Sequence, residues 1–332
     1  MKRYFAFLLL VTFSLPGLAA KKPLYEYFRI GKVEDAFNMV TTPGTVLMGG
    51  GTDVDAAFEW MCTLSGQGDF LVVRATGTDA YNPYIQQLCP NGNSVATLII
   101  PTVEAANHEE VIAIINQAEA IWVAGGDQSN YINFWKGTPV QAAINERILD
   151  RIPIGGTSAG LDVLTQFVYS ALENKGVTSK QALADPFSKF ITLDENFVTA
   201  LPFLQGVIGD SHFVTRDRFG RDIAFLCRIY DNGWSQQPRG ISVDEETALL
   251  IDEDGLGIVV GNSHVYFLQA PGAPEVCESK RSLTYKDIDV YRISAQAGTY
   301  HLLSWQGDSG KQYSVSAIEG KLFSDQENLS PY

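Results

Sequence analysis

The sequence predicts a doubly wound, mostly parallel α/β sheet flanked by helices, followed by a small C-terminal β appendage. Between residues 40 and 270, short and continuously apolar runs alternate with amphipathic stretches, the pattern of a parallel sheet buried on both faces. Two of those runs end in glycine clusters, "LMGGGTDVD" at 47–55 and "VAGGDQSNYINFW" at 123–135, and strand ends of this kind border the ligand crevice in open α/β sheets. Past Ala270 the connector "APGAPEVCESKRS" gives way to apolar–polar alternation over 284–325, which reads as β structure carrying no recognisable chemistry.

In chain order, residues 1–20 begin with Lys2 and Arg3, continue through an apolar run at 5–15 and end in small residues, the composition of a secretory signal peptide. That run is shorter than the roughly 20 residues of a spanning helix. An exported protein without stable membrane association after cleavage is therefore expected, either periplasmic or released. Strands are expected at 44–49, 70–74, 97–101 and 121–124, and helices at 53–61, 81–88 and 108–118. The division expected is a signal peptide (1–20), an α/β domain (21–270), and a connector with its β appendage (271–332).

Composition narrows the partners. Losing Lys2 and Arg3 moves the net charge from −14 to about −16, 22 basic against 38 acidic residues, which excludes a nucleic-acid partner and would draw cationic ligands. A homodimer is left open. Four cysteines in an exported chain permit two disulfides by three connectivities. Cys62 with Cys89 is the favoured pair because both flank one early strand; Cys227, within a helix expected at 222–230, either bonds Cys277 or is a buried thiol. No Cys-x-x-Cys or His-x-x-x-His spacing suggests a metal, and neither glycine turn carries Gly-x-Gly-x-x-Gly, so no nicotinamide or other cofactor is expected.

The stretch "IPIGGTSAGL" (152–161) contains Gly156-Thr157-Ser158-Ala159-Gly160. An apolar run before this Gly-x-Ser-x-Gly and a helix-like run after it ("LDVLTQFVYSALE") give the strand–turn–helix context that exposes a nucleophilic serine. A serine needs a base, usually a histidine held by a carboxylate. Of the four histidines, His108 suits a surface helix start, and His264 and His301 sit in alternating strand-like stretches. His212 stands in "GVIGDSHFVTRDRFGRD", with Asp210 before it and Arg216, Arg218 and Arg221 after it. If that segment is extended, Arg216 and Arg218 share a face and Phe219-Gly220 turns Arg221 towards them, a cluster suited to a carboxylate; the plainer account is a surface row paired with Asp217 and Asp222. Asp244, Glu245 and Glu246 supply three adjacent acids whose faces the sequence alone leaves open.

Four segments, "AGGDQ" (124–128), "GGTSAG" (155–160), "DSHFVTRDRFGR" (210–221) and "GISVDEETAL" (240–249), resemble in order and spacing the cyanophycinase and dipeptidase E family of serine exopeptidases, its cyanophycinase branch above all. The resemblance spans roughly residues 40–270 and implies a fold similar to class I glutamine amidotransferases. It also implies Ser158 as nucleophile, His212 as base and Glu245 as the orienting acid, with Gln128, Asp210, Arg216, Arg218 and Arg221 lining the substrate site. Ser211 departs from the family pattern, which has glutamine there. The implied substrate is a peptide or cyanophycin-like polymer of aspartyl residues carrying arginine. Backbone N–H groups of Ala159 and Gly126 are the candidate oxyanion donors. Two other readings compete: an α/β-hydrolase esterase using His264 or His301 as base, and a non-catalytic binding protein on the same scaffold.

Overall fold

A computed structural model describes residues 23–173 and 175–332; the expected signal peptide lies outside them. The first half of the chain runs β1 (Glu26–Gly31), β2 (Thr45–Met48), α1 (Asp55–Leu64), β3 (Asp69–Arg74), α2 (Tyr81–Leu88), β4 (Ser94–Ile99), α3 (Val103–Ala106), α4 (Glu109–Asn116), β5 (Ala120–Val123), α5 (Gln128–Trp135), α6 (Pro139–Leu149), β6 (Ile154–Thr157), α7 (Ala159–Asp162) and β7 (Phe167–Tyr169). There follow α8 (Ser179–Ala184), β8 (Leu193–Glu195), β9 (Val207–Asp210), α9 (Phe219–Asp231), β10 (Arg239–Val243), β11 (Thr247–Ile251), β12 (Leu256–Gly261), β13 (His264–Gln269), β14 (Tyr285–Ser294), β15 (Thr299–His301), β16 (Gln306–Gly307), β17 (Lys311–Ile318) and β18 (Lys321–Ser324).

Two large sheets result. The first has the order β1-β4-β3-β5-β6-β2-β11-β12-β15-β16, and the second β18-β17-β14-β13-β10-β9-β7-β8. Parallel pairing joins β4, β3, β5, β6 and β2 in the first sheet and β7, β9 and β10 in the second; the remaining ladders are antiparallel. The fold is thus mixed α/β, and the expectation of a mostly parallel sheet is corrected. Antiparallel neighbours need only a tight turn, whereas parallel ones need a crossover, and beyond β10 the chain is made of short connections.

Side chains alternate across the first sheet. Leu47, Leu71, Val73, Ile121 and Val123 face a core shared with α4, α5 and α6 and with Ile241, Val243, Val265 and Phe267 of the second sheet. Their neighbours Val46, Met48, Phe70, Val72 and Trp122 face α1 and α2. A central layer is therefore enclosed by two outer ones. The tail does not form a separate appendage: β14 pairs with β13 over His264↔Ser294 to Gln269↔Asp289, and its Val290, with Tyr313 and Val315 of β17, joins the core of Phe219 and Ile223 from α9. Alternating strands need a partner for their apolar face, and the second sheet provides it.

Two local expectations change as well. The helix expected after Ser158 is the single turn α7, and Phe167–Tyr169 forms β7, in keeping with the β-branched and aromatic residues Val163, Thr165, Phe167, Val168 and Tyr169. The favoured pair Cys62–Cys89 forms (Cα–Cα 5.9 Å), tying α1 to the end of α2, and of the two alternatives left open for Cys227 the structure has the bond to Cys277 (6.1 Å), tying α9 to the connector. No helix among the described residues is long and apolar enough to cross a membrane.

Candidate active site

Ser158 stands between β6 and α7 with φ 53° and ψ −120°, a left-handed region a non-glycine residue occupies only when its surroundings force it. The flanking glycines supply that force. A Cβ on Gly160 would collide with the Val123 carbonyl, and one on Gly156 would lie 2.6 Å from the Gly160 carbonyl. Strand and helix can approach this closely only without side chains, and the turn lifts the Ser158 hydroxyl out of the sheet.

The glycine cluster after β2 organises the rest. Three consecutive carbonyls, those of Met48, Gly49 and Gly50, accept the backbone N–H groups of Ser158 (3.0 Å), His212 (2.8 Å) and Glu246 (2.8 Å). One turn thus holds the three chain segments that carry the candidate triad. Gly50 (φ +93°) has the His212 ring where a Cβ would be, and Gly51 (φ +76°) would place a Cβ 3.0 Å from that of Glu245, so both the backbone angle and the contact require glycine.

The side chains converge accordingly. Ser158 Oγ lies 2.8 Å from His212 Nε2, and His212 Nδ1 lies 2.5 Å from Glu245 Oε1. With a carboxylate at Nδ1, the neutral ring carries its proton there and accepts the serine O–H at Nε2. Burial lowers the His212 pKa from its ordinary value; the Glu245 bond opposes that, and the nearby Arg216 and Arg218 charges assist it. The imidazole is therefore a free base at neutral pH. His264 instead approaches Ser263 (3.4 Å) and His301 is exposed on β15, so neither expected alternative base bonds Ser158 among the described residues.

The three adjacent acids separate cleanly. Glu245 takes the histidine. Asp244 accepts the N–H groups of Val214 (3.1 Å) and Thr215 (3.2 Å) and the Ser263 hydroxyl (2.8 Å), clamping the loop after His212. Glu246 binds Asn262 (3.0 Å) and sits at φ 57°.

The arginines depart from expectation. Residues 213–217 form turns rather than an extended segment, and Phe219-Gly220 opens α9 instead of reversing the chain. Arg218 and Arg221, one helical turn apart, point inward at Asp210: Arg221 donates through Nε (2.6 Å) and Nη2, and Arg218 through Nη1 (3.0 Å). Arg221 also lies over the Tyr169 ring, 5.0 Å from its centroid. Asp210 is 2% exposed; burial works against its charge, but Arg221 and Arg218 prevail and hold its carboxyl below the usual range. It is the internal counter-charge of two arginines, and the cavity those arginines help to line does not include it among its lining residues. Arg216 alone is half exposed, with Nε 3.8 Å from Glu245.

Gly126, Gln128, Tyr169, Lys175, Arg218 and Arg221 line a cavity of about 190 Å3. Gln128 is fixed by Nε2 donating to the Tyr169 carbonyl (3.1 Å) and, at 3.4 Å, to Asp162. Neighbouring Gly125 is near enough to Ser158 that a Cβ on it would be 3.4 Å from the serine's. Sequence reasoning missed Asp162, one helical turn beyond the serine, and Lys175. Burial and the charge of Asp210 push the Asp162 carboxyl up to about 7 against the pull of Arg218 and Arg221. Among the described residues no group of three or more His, Cys, Asp or Glu could hold a metal ion.

Comparison with known proteins gives the family of the chain. The model of peptidase family S51 matches residues 75–259, a span that contains Ser158, His212 and Glu245. The chain belongs to peptidase family S51. Relatives include the cyanophycinases of Trichormus variabilis, 28% identical over 163 residues (49% of each chain), and of Synechococcus elongatus, 26% identical over 161 residues (48% of this chain, 44% of that one). The chain spans about half the length of the curated relatives it matches. A peptidase from an acI-B1 Actinobacterium aligns in structure with TM-score 0.49 at 18% identity, covering 73% of this chain and 99% of that one. The S51 match begins after β3, so the glycine turn 49–51 and helix α1 lie outside it.

Proposed function

We propose that the chain is a serine-type exopeptidase of the cyanophycinase kind, acting through an acyl-enzyme on an aspartyl amide. One observation carries the reading: the continuous hydrogen-bonded row Ser158 Oγ–His212 Nε2–His212 Nδ1–Glu245 Oε1 at 2.8 and 2.5 Å. As Ser158 Oγ attacks the scissile carbonyl, its proton passes to His212 Nε2, and Glu245 stabilises the imidazolium. The tetrahedral oxyanion is held by the N–H groups of Ala159 and Gly126. His212 then protonates the leaving amine, and a water activated by the same imidazole releases the acid. The cavity lined by Gly126, Asp127, Gln128, Lys175, Arg218 and Arg221 offers Lys175, the one of its three cations not engaged by Asp210, to the free carboxylate of an aspartyl group. The parallel core and the Ser158 turn support a class I glutamine amidotransferase-like arrangement, and the two disulfides support export to an oxidising compartment.

The test is Ser158→Ala, compared with the parent protein on cyanophycin and on α- and β-aspartyl dipeptides. Turnover should fall by about 10⁴-fold or more with the melting curve preserved, and a fluorophosphonate should label the parent protein and not the variant. Undiminished hydrolysis by Ser158→Ala would rule the mechanism out.

A further inference from the structure

The loop that follows His212 is held by a residue from outside the S51 segment. The family match ends at residue 259, yet the Tyr332 hydroxyl accepts the Phe219 N–H at 3.1 Å and donates to Asp217 Oδ1 at 2.8 Å. Phe219 is the first residue of α9, and Arg218 before it makes no side-chain cap. A helix leaves its first N–H groups without intrahelical partners. Here Tyr332, 113 positions further along the chain, takes the first of them, and Ser179 Oγ takes the next two, from Gly220 (3.1 Å) and Arg221 (3.3 Å). Asp217 sits at φ 48°, its carboxylate bound by Tyr332 and its carbonyl by the Ser179 hydroxyl.

The Tyr332 ring adds an apolar contact. It meets Phe213, Phe219 and Tyr266 edge to face, at centroid separations of 5.6, 5.6 and 6.3 Å, the arrangement that ring quadrupoles favour. Phe213 is fully buried and adjoins His212 in the chain. Tyr332 is itself anchored: the Pro331 carbonyl accepts the Tyr313 hydroxyl of β17 at 2.7 Å, and the Ser330 carbonyl accepts Gln326 Nε2 at 2.8 Å. Asp244 grips Val214 and Thr215 from one side of the loop, and Tyr332 grips Phe213, Asp217 and Phe219 from the other. A reacting group displaced by about 1 Å can slow a reaction by about a hundredfold, so slack in this loop would be felt at His212 Nε2.

We propose that Tyr332 is a positioning residue for the active site, fixing residues 213–219 and, through Phe213, the imidazole of His212. Its effect on catalysis rests on the serine-peptidase reading, but the placing of the imidazole can be observed without turnover. Three variants separate these contacts from general stability: Tyr332→Phe keeps the ring and loses both hydroxyl bonds, Tyr332→Leu loses ring and bonds together, and Val315→Ala weakens the same apolar core from β17. One readout is the rate at which a fluorophosphonate labels Ser158, well below the melting midpoint of every variant. The other is the downfield proton resonance of His212 Nδ1–H in its bond to Glu245, assigned by its loss in His212→Ala. Labelling should slow by about threefold in Tyr332→Phe and by about thirtyfold in Tyr332→Leu, with the resonance broadening in the same order. Val315→Ala should lower the melting midpoint and leave both readouts at their parent values. Labelling of Tyr332→Leu at the parent rate overturns the proposal. So does an equal slowing in Val315→Ala, which would reduce the Tyr332 effect to stability alone. If the reagent leaves the parent protein unlabelled, the catalytic reading has failed, and the resonance alone decides whether Tyr332 holds the imidazole.

Discussion

The cavity on the serine side, lined by Gln128, Lys175, Arg218 and Arg221, and a second on the glutamate side, between α1 and α2 and lined by Asp53, Asp55, Tyr81 and Tyr84, both carry charge, and they differ in where the balancing charge sits. On the serine side, Arg218 and Arg221 are matched internally by Asp210, with side-chain exposures of 14%, 3% and 3%. On the glutamate side, Asp55 is exposed and has the Tyr84 hydroxyl as its side-chain partner, and neither it nor Asp53 forms an ion pair among the described residues. Buried and paired charge is expensive to disturb, so the first set fixes the shape of its cavity. Exposed charge with no opposite partner is solvated instead, so the second set costs little to change. A cluster of like charges in a sequence therefore carries no single meaning.

The sharpest way to break this contrast is to remove the internal counter-charge. Asp210→Asn leaves two guanidiniums in a closed space without their anion, which should cost about 3–5 kcal/mol of folding stability, measured by urea unfolding at pH 7. Activity should fall with it, because Asp210 ends β9 two residues before His212. Stability equal to that of the parent protein would show that the pairing does not hold the region together.

A smaller effect should separate Asp162 from Asp210, although both are buried beside the same arginines. Asp162 keeps its proton in the folded state up to about pH 7, while unfolded it releases it near 4. Between those values the folded chain binds the extra proton, so rising pH removes stability through this group and has no further effect above it. Asp210 has the opposite sign: its depressed value gives stability above about pH 4 that is lost on acidification through the folded-state value. The two arginines face both groups, and Asp222 faces Asp210. In Asp162→Asn the decline in unfolding free energy from pH 5 to pH 8 should therefore be smaller than in the parent protein. An identical decline would remove Asp162 as its source.

These assignments also show what the sequence could carry. The Ser158 turn was legible because its constraint is local: Gly156 and Gly160 announce a backbone that tolerates no side chain. The pairing of Cys62 with Cys89 followed from the strand between them. His212 and Glu245 were reached through a family resemblance, since three adjacent acids differ only in what they touch. The carbonyl row of Met48, Gly49 and Gly50 could not be read, because its partners lie about 110 to 200 positions further along the chain. The arginines were misplaced for a related reason. A sequence shows that Arg218 and Arg221 are near Asp210, but not that the start of α9 turns both onto one carboxylate.

The smallest expected effect completes the contrast. Asp55 lies at the exposed first turn of α1, and its one side-chain bond is from the Tyr84 hydroxyl. Asp55→Asn keeps an oxygen to accept that bond and removes a charge with no ion-pair partner. Its influence on the helix N-terminus amounts to a few tenths of a kcal/mol. Unfolding free energy should consequently stay within about 0.5 kcal/mol of the parent protein, against the several lost in Asp210→Asn. Two acids in one chain would then differ about tenfold in their structural weight. A loss of about 2 kcal/mol or more in Asp55→Asn would place this carboxylate among the structural charges, and its cavity would no longer contrast with the one on the serine side.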